Sequence, residues 1–152
     1  RDPDDNREYV EGGNGAYIDE THQHYILIME EDGTLSNALI SMKSTQLKKS
    51  RQWNTMIATR SMVGANGVPF QPPRFSHVYN LTTAKEENSK GVWHGWKIDL
   101  EGPIQDANTY QAAKAFHTAI SAGDVTVKHE EAGAAPSKPK QTQEDSGDDI
   151  PW

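Results

Sequence analysis

Two runs of alternating residues dominate the hydropathy pattern of the chain. Phe75, His77, Tyr79 and Leu81 alternate with Arg74, Ser76, Val78 and Asn80, and Val92, His94, Trp96, Ile98 and Leu100 alternate with Trp93, Gly95, Lys97 and Asp99. Period-two alternation marks strands with one buried face. Around a polar turn at 84–91 the runs predict an antiparallel hairpin, stopped by Gly102-Pro103. His24 to Met29 is a Tyr/Ile-rich strand ending at the turn Glu31-Asp32-Gly33-Thr34, and Ala38 to Met42 reads as a short strand or the approach to a helix. Leu47, Trp53, Met56 and Ile57 fall near one helical face, which predicts a helix capped by Ser44 or Thr45 and running to about Arg60. A second helix is predicted from a cap at Asp106 or Asn108 through Ser121, with Tyr110, Ala113, Phe116 or His117, and Ile120 at helical spacing and Gly123 as its stop. Gly64 to Pro73 reads as a loop and Asp124 to Lys128 as a last short strand. The expected fold class is α+β or mainly β, with an antiparallel sheet and two helices.

The pattern divides the chain in three. Residues 1–19 are polar, Asp-rich and glycine-punctuated, and read as a flexible lead-in. Residues 20–129 form the expected domain. Residues 130–152 are rich in Ala, Gly, Pro, Ser, Lys and Gln, with no core former until Ile150, and read as a disordered tail. No apolar run approaches the roughly 20 residues that cross a bilayer, and the first twenty residues show no signal-peptide pattern. The chain opens on Arg1, so strands preceding it are compatible with this reading. Without a cysteine, disulfides, thiolate catalysis and cysteine-ligated metal sites are excluded. A cytoplasmic location is the expectation, the host cytoplasm for a phage-encoded chain.

Charge changes the picture. The net charge is −7, yet it is unevenly spread. Residues 1–32 carry ten acids and two bases, whereas 33–85 carry Lys43, Lys48, Lys49, Arg51, Arg60, Arg74 and Lys85 and no acid. Such a stretch presents a local field suited to a polyanion. Single strands are held by cations on the phosphates and aromatic faces on the bases. Lys43, Lys48, Lys49, Arg51, Arg60 and Arg74 supply the charge, and Trp53, Phe75, Tyr79, Trp93 and Trp96 supply rings. With Val92, Ile98 and Leu100 placed inward, Trp93 and Lys97 share the solvent face and form the expected stacking platform. Trp96, Phe75 and Tyr79 are then expected in the core.

The last residues, Asp148-Asp149-Ile150-Pro151-Trp152, join an acidic run to an apolar end. Carboxylates steer such a tip to a basic rim while an aromatic side chain fills a pocket. This tip resembles that of the bacterial single-stranded-DNA-binding protein family, with Trp152 where the family has Phe and with Gly147 interrupting the acids. The stretch Lys43-Ser44-Thr45-Gln46-Leu47-Lys48-Lys49-Ser50 and the strand Trp93-His94-Gly95-Trp96-Lys97 are similar to phage-encoded single-stranded-DNA-binding or recombination-associated proteins. That resemblance implies an OB-like barrel as an alternative to the open antiparallel sheet. It further implies single-stranded DNA as ligand and replication or recombination proteins as partners of the tip. The acidic tail is also expected to compete with DNA for the basic surface.

Other chemistries are less well supported. Asp19, His22 and His24 offer metal ligands for a metal-dependent nuclease, since His22 and His24 lie on one side of a strand. His77 and His94 are expected to face each other across the hairpin. No nucleophile elbow, phosphate loop or HExxH arrangement occurs, so no enzyme activity, cofactor or bound metal is expected. A protein-interaction adaptor without nucleic-acid binding is the other alternative, and a homo-oligomer is compatible with all three.

Overall fold

A computed structural model of the chain describes residues 1–124. Residues 125–128 of the expected last strand, the tail and the tip Asp148–Trp152 lie outside the described residues. Strands β1 (Glu8–Tyr9) and β2 (Tyr17–Ile18) form a small ribbon within the lead-in, and β3 (Thr21–Met29) pairs with β4 (Leu35–Lys43). A 3-10 turn, Ser44–Gln46, leads into helix α1 (Leu47–Ala58). A second small ribbon, β5 (Met62–Val63) with β6 (Pro69–Phe70), precedes the long hairpin of β7 (His77–Asn88) and β8 (Gly91–Pro103). Helix α2 (Ala107–Ala122) follows.

The fold is mainly β, antiparallel throughout, with two helices. Its strands form four separate two-stranded ladders and do not close into a barrel, so the OB-like alternative is corrected. Each described strand has one ladder partner, which leaves a free edge on both sides of every ribbon. Closure needs each strand paired on both sides.

The long hairpin is longer than the alternation predicts. The polar residues from Ala84 to Asn88 continue β7, and the turn narrows to Ser89-Lys90, where the Lys90 N–H donates to Asn88 Oδ1 at 2.8 Å. Cross-strand pairing overrides low strand propensity at Glu86, which sits opposite Trp93 and accepts its indole N–H at 2.9 Å. The same register separates the two histidines expected to meet. His94 lies opposite Lys85 and His77 opposite Pro103. An irregularity between Val78 and Tyr79 shifts the pairing near the open end.

Helix α1 lies against β3, β4 and β8. Neither Ser44 nor Thr45 caps it with a side-chain hydrogen bond. Ser44 has a left-handed backbone (φ 51), unlike the extended conformation that lets a cap hydroxyl reach the first free amides. Gln46 ties the helix start to the hairpin instead, its Oε1 accepting the Trp96 backbone N–H at 2.9 Å. Helix α2 follows the expected pattern. Asp106 accepts from the Thr109 amide at 2.7 Å, and Gly123 closes the helix with φ 76. Phe75 packs on Tyr110 and His117 of α2, with ring centroids 5.4 and 5.2 Å apart.

The apolar core is small. Met42, Trp53 and Ala113 are its buried members among the described residues. Many large apolar side chains remain exposed, including Tyr9, Ile18, Tyr25, Met29, Val63, Val68, Phe70 and Val92.

Candidate nucleic-acid interface

Helix α1 sorts its residues onto two sides. Ser50 and Trp53 are buried, while Lys48, Arg51, Gln52 and Thr55 are exposed. Lys48, Arg51, Gln52, Thr55, Met56 and Thr59 line one open depression. Successive helical residues turn by about 100°, so residues three apart, such as Ser50 and Trp53, fall on the same side.

The inner side is built around Ser50, which is 0 % exposed. Its hydroxyl lies 2.8 Å from His22 Nδ1 and 2.7 Å from His24 Nε2, and His22 Nε2 lies 3.1 Å from Glu20 Oε1. A hydroxyl donates one hydrogen and accepts others. In the tautomer that gives the His22 Nε2–H to the Glu20 carboxylate, Nδ1 accepts from Ser50, and the Nε2–H of His24 can donate to the same oxygen. The bond from His22 is the main cause that lowers the Glu20 pKa, and Arg51 adds to it. Burial lowers the pKa of His24, aided by His22 and Arg74. The Glu–His–Ser order has the form of a nucleophile relay, but the buried hydroxyl is enclosed. The array fastens β3 to α1. It also engages both ring nitrogens of His22 and one of His24, which the metal reading needed as ligands. Among the described residues no group of three or more His, Cys, Asp or Glu is placed to hold a metal ion.

Trp53 belongs to this seam. It is 6 % exposed, stacks on His24 with centroids 4.7 Å apart and meets the Tyr79 ring edge-on at 5.8 Å. At this exposure its ring offers little face to a base, unlike the open ring that the sequence predicts for a binding residue. The physical reason is helical phase: Trp53 is one turn from Ser50 and turns with it toward β3. Tyr79, expected in the core, is half-buried beside Trp53.

The stacking platform expected at Trp93 and Lys97 is also altered. Val92 and Leu100, placed inward from alternation, are exposed, whereas Gly95 is buried and Trp93 half-buried. The Trp93 and Gly95 face is the one covered near the turn. A Cβ on Gly95 would run into the Glu86 carboxylate and meet Gln46 Nε2 at 3.1 Å. Glu86 is held there by Lys49 at 2.6 Å and by Trp93, and these two bonds lower its pKa, the lysine foremost. Alternation reports which residues share a face. It does not report which face a helix will cover.

The cations are partly answered from outside their own stretch. Lys43 pairs with Asp19 at 3.5 Å, Lys49 with Glu86 at 2.6 Å, Arg51 with Glu20 at 3.2 Å and Lys97 with Asp99 at 3.2 Å. The pairs of Lys43, Arg51 and Lys97 are exposed, and exposed pairs contribute little, so a phosphate competes with them readily. Lys48, Arg60 and Arg74 make no ion pair among the described residues. Arg74 donates to Asn54 Oδ1 at 2.8 Å, and the Arg60 Nε is buried without a hydrogen-bond partner. Both guanidinium groups act on Tyr79, whose pKa burial raises and the two arginines pull back. These three cations were legible in the sequence. Their lack of an ion pair among the described residues was not.

A mainly β, two-helix protein with an open cationic helix face is thus defined. The chain belongs to the Pam3 phage gp34-like protein family, whose model matches residues 1–126, and this places it among bacteriophage proteins. Comparison with curated proteins and with solved structures gives no match. No described helix is long and apolar enough to cross a membrane.

Proposed function

We propose that this protein binds single-stranded DNA without sequence choice, through Lys48, Arg60 and Arg74, with Lys43 and Arg51 exchanging their carboxylates for phosphates. The observation that carries the reading is the trio of cations at α1 and its C-terminal exit that make no ion pair among the described residues. Neutralising three to five phosphates on a single strand gives a log–log salt slope of roughly −2 to −4. The tip Asp148, Asp149, Ile150, Pro151 and Trp152 is assigned the docking of replication or recombination proteins, by its resemblance to the bacterial tail. The test is a titration with oligo(dT) and with duplex DNA at two salt concentrations. Tight, salt-sensitive binding of the single strand is expected, and equal or absent binding at low salt removes the proposal.

A second reading rests on a different observation. The small core and exposed apolar side chains suit a protein that completes its packing on another protein. In that case partner capture persists with no affinity for oligonucleotides.

A further inference from the structure

Between α1 and β7 the chain turns outward into a ribbon that packing does not explain. From Ser61 to Pro73 there is no charged side chain. Met62 pairs with Phe70 and Val63 with Pro69, and the turn between them holds itself. Gly64 N–H donates to Val68 O at 3.0 Å, Gly67 N–H to Gly64 O at 2.9 Å, and Val68 N–H to Asn66 Oδ1 at 3.1 Å. Gly67 supplies the positive φ of 73 that this turn requires. At the outside, Val63 is 69 %, Val68 56 % and Phe70 45 % exposed.

The root of the ribbon is anchored. Gln71 Nε2 donates to the Ala58 carbonyl at 2.8 Å, Pro72 is buried, and Arg74 is held by Asn54. Arg60 precedes the ribbon and Arg74 follows it, and both reach the surroundings of Tyr79. Two donors in this neighbourhood, Trp53 Nε1 and Arg60 Nε, are buried without hydrogen-bond partners. An exposed apolar finger on a root of two arginines that make no ion pair among the described residues asks for a ligand with apolar faces and regularly spaced anions. An apolar protein surface supplies the first without the second. A nucleic-acid strand supplies both.

We infer that the ribbon Met62–Phe70 is a nucleobase-contacting finger, with Phe70 and Val63 packing on bases while Arg60 and Arg74 take phosphates of the same strand. The inference rests on the single-stranded DNA reading above and names the element that touches bases. The preformed turn and fixed root reduce the ordering that binding demands.

The test uses the full chain and labelled oligo(dT), with anisotropy as readout. Phe70→Ala should weaken binding about 5- to 150-fold with the salt slope retained, the range set by one lost stacking contact. Val63→Ser should weaken it less. The double variant Arg60→Gln/Arg74→Gln should make the slope shallower by about 1.4, from two phosphate contacts. Circular dichroism of each variant checks the fold, and sedimentation of the unbound protein checks its association state. If the parent protein binds and Phe70→Ala binds equally well, the finger is overturned while the function stands. An unchanged slope in the arginine variant overturns the phosphate half. Absence of binding by the parent protein removes both proposals. Conversion of an oligomer to a monomer by Phe70→Ala overturns the inference, because the finger is then a contact between copies.

Discussion

The seam between β3 and α1 and the ribbon between α1 and β7, which Arg60 and Arg74 flank, both carry aromatic side chains, but they use them oppositely. In the seam, Trp53 is enclosed by His24 and Tyr79, and Ser50 satisfies two imidazoles at once. In the ribbon, Phe70 and Val63 face outward and the hydrogen bonds close a turn rather than join elements. Ring chemistry does not separate the two. The difference lies in whether a second element covers the ring, and this makes one region structural and the other available for binding.

The largest effect should come from emptying the seam. Trp53→Ala is expected to cost about 3–5 kcal/mol of stability by denaturant unfolding, whereas Phe70→Ala should stay within about 0.5 kcal/mol. Equal losses would abolish the contrast. Ser50→Ala leaves both imidazoles short of their shared partner and should cost about 1–3 kcal/mol, again with no counterpart in the ribbon.

Acidification gives a smaller effect with a definite sign. Burial lowers the pKa of His24 and also that of His77. The unfolded chain therefore binds more protons than the folded one as pH falls through the ordinary histidine range, near 6.5. Their contribution is complete above that range and lost below it. The Glu20 and Glu86 carboxyls are shifted down in the fold, so their loss comes at lower pH. Melting temperature should fall between about pH 7.5 and about pH 5, and His24→Gln should flatten part of that fall. The smallest effect is expected outside the seam. Lys48→Ala should leave melting unchanged and make the DNA salt slope shallower by about 0.7; a stability loss there would place Lys48 with the seam.

Much of the fold is legible from local pattern. The β7–β8 hairpin, both helices, the Asp106 cap and the Gly123 stop follow from periodicity and terminus chemistry, which act within a few residues. The candidate site is legible only as a set of cations. Asp19, Glu20 and Glu86 return to the acid-free stretch from outside it, a pairing that no count along the chain reveals. In sequence the ribbon reads as a loop because its strands are two residues each and its turn is held by Asn66 and two glycines.

By itself the sequence determined which residues alternate, which helix faces are apolar, where chains turn and which charges are present, since these depend on near neighbours and residue type. Tertiary structure alone decided that Trp53 is enclosed, that Trp93 is half-buried against Glu86, that the strands form open ribbons and that Lys48, Arg60 and Arg74 make no ion pair among the described residues. The physical reason is that burial and ion pairing depend on which surfaces meet, and residues far apart in the chain decide that by filling the same space.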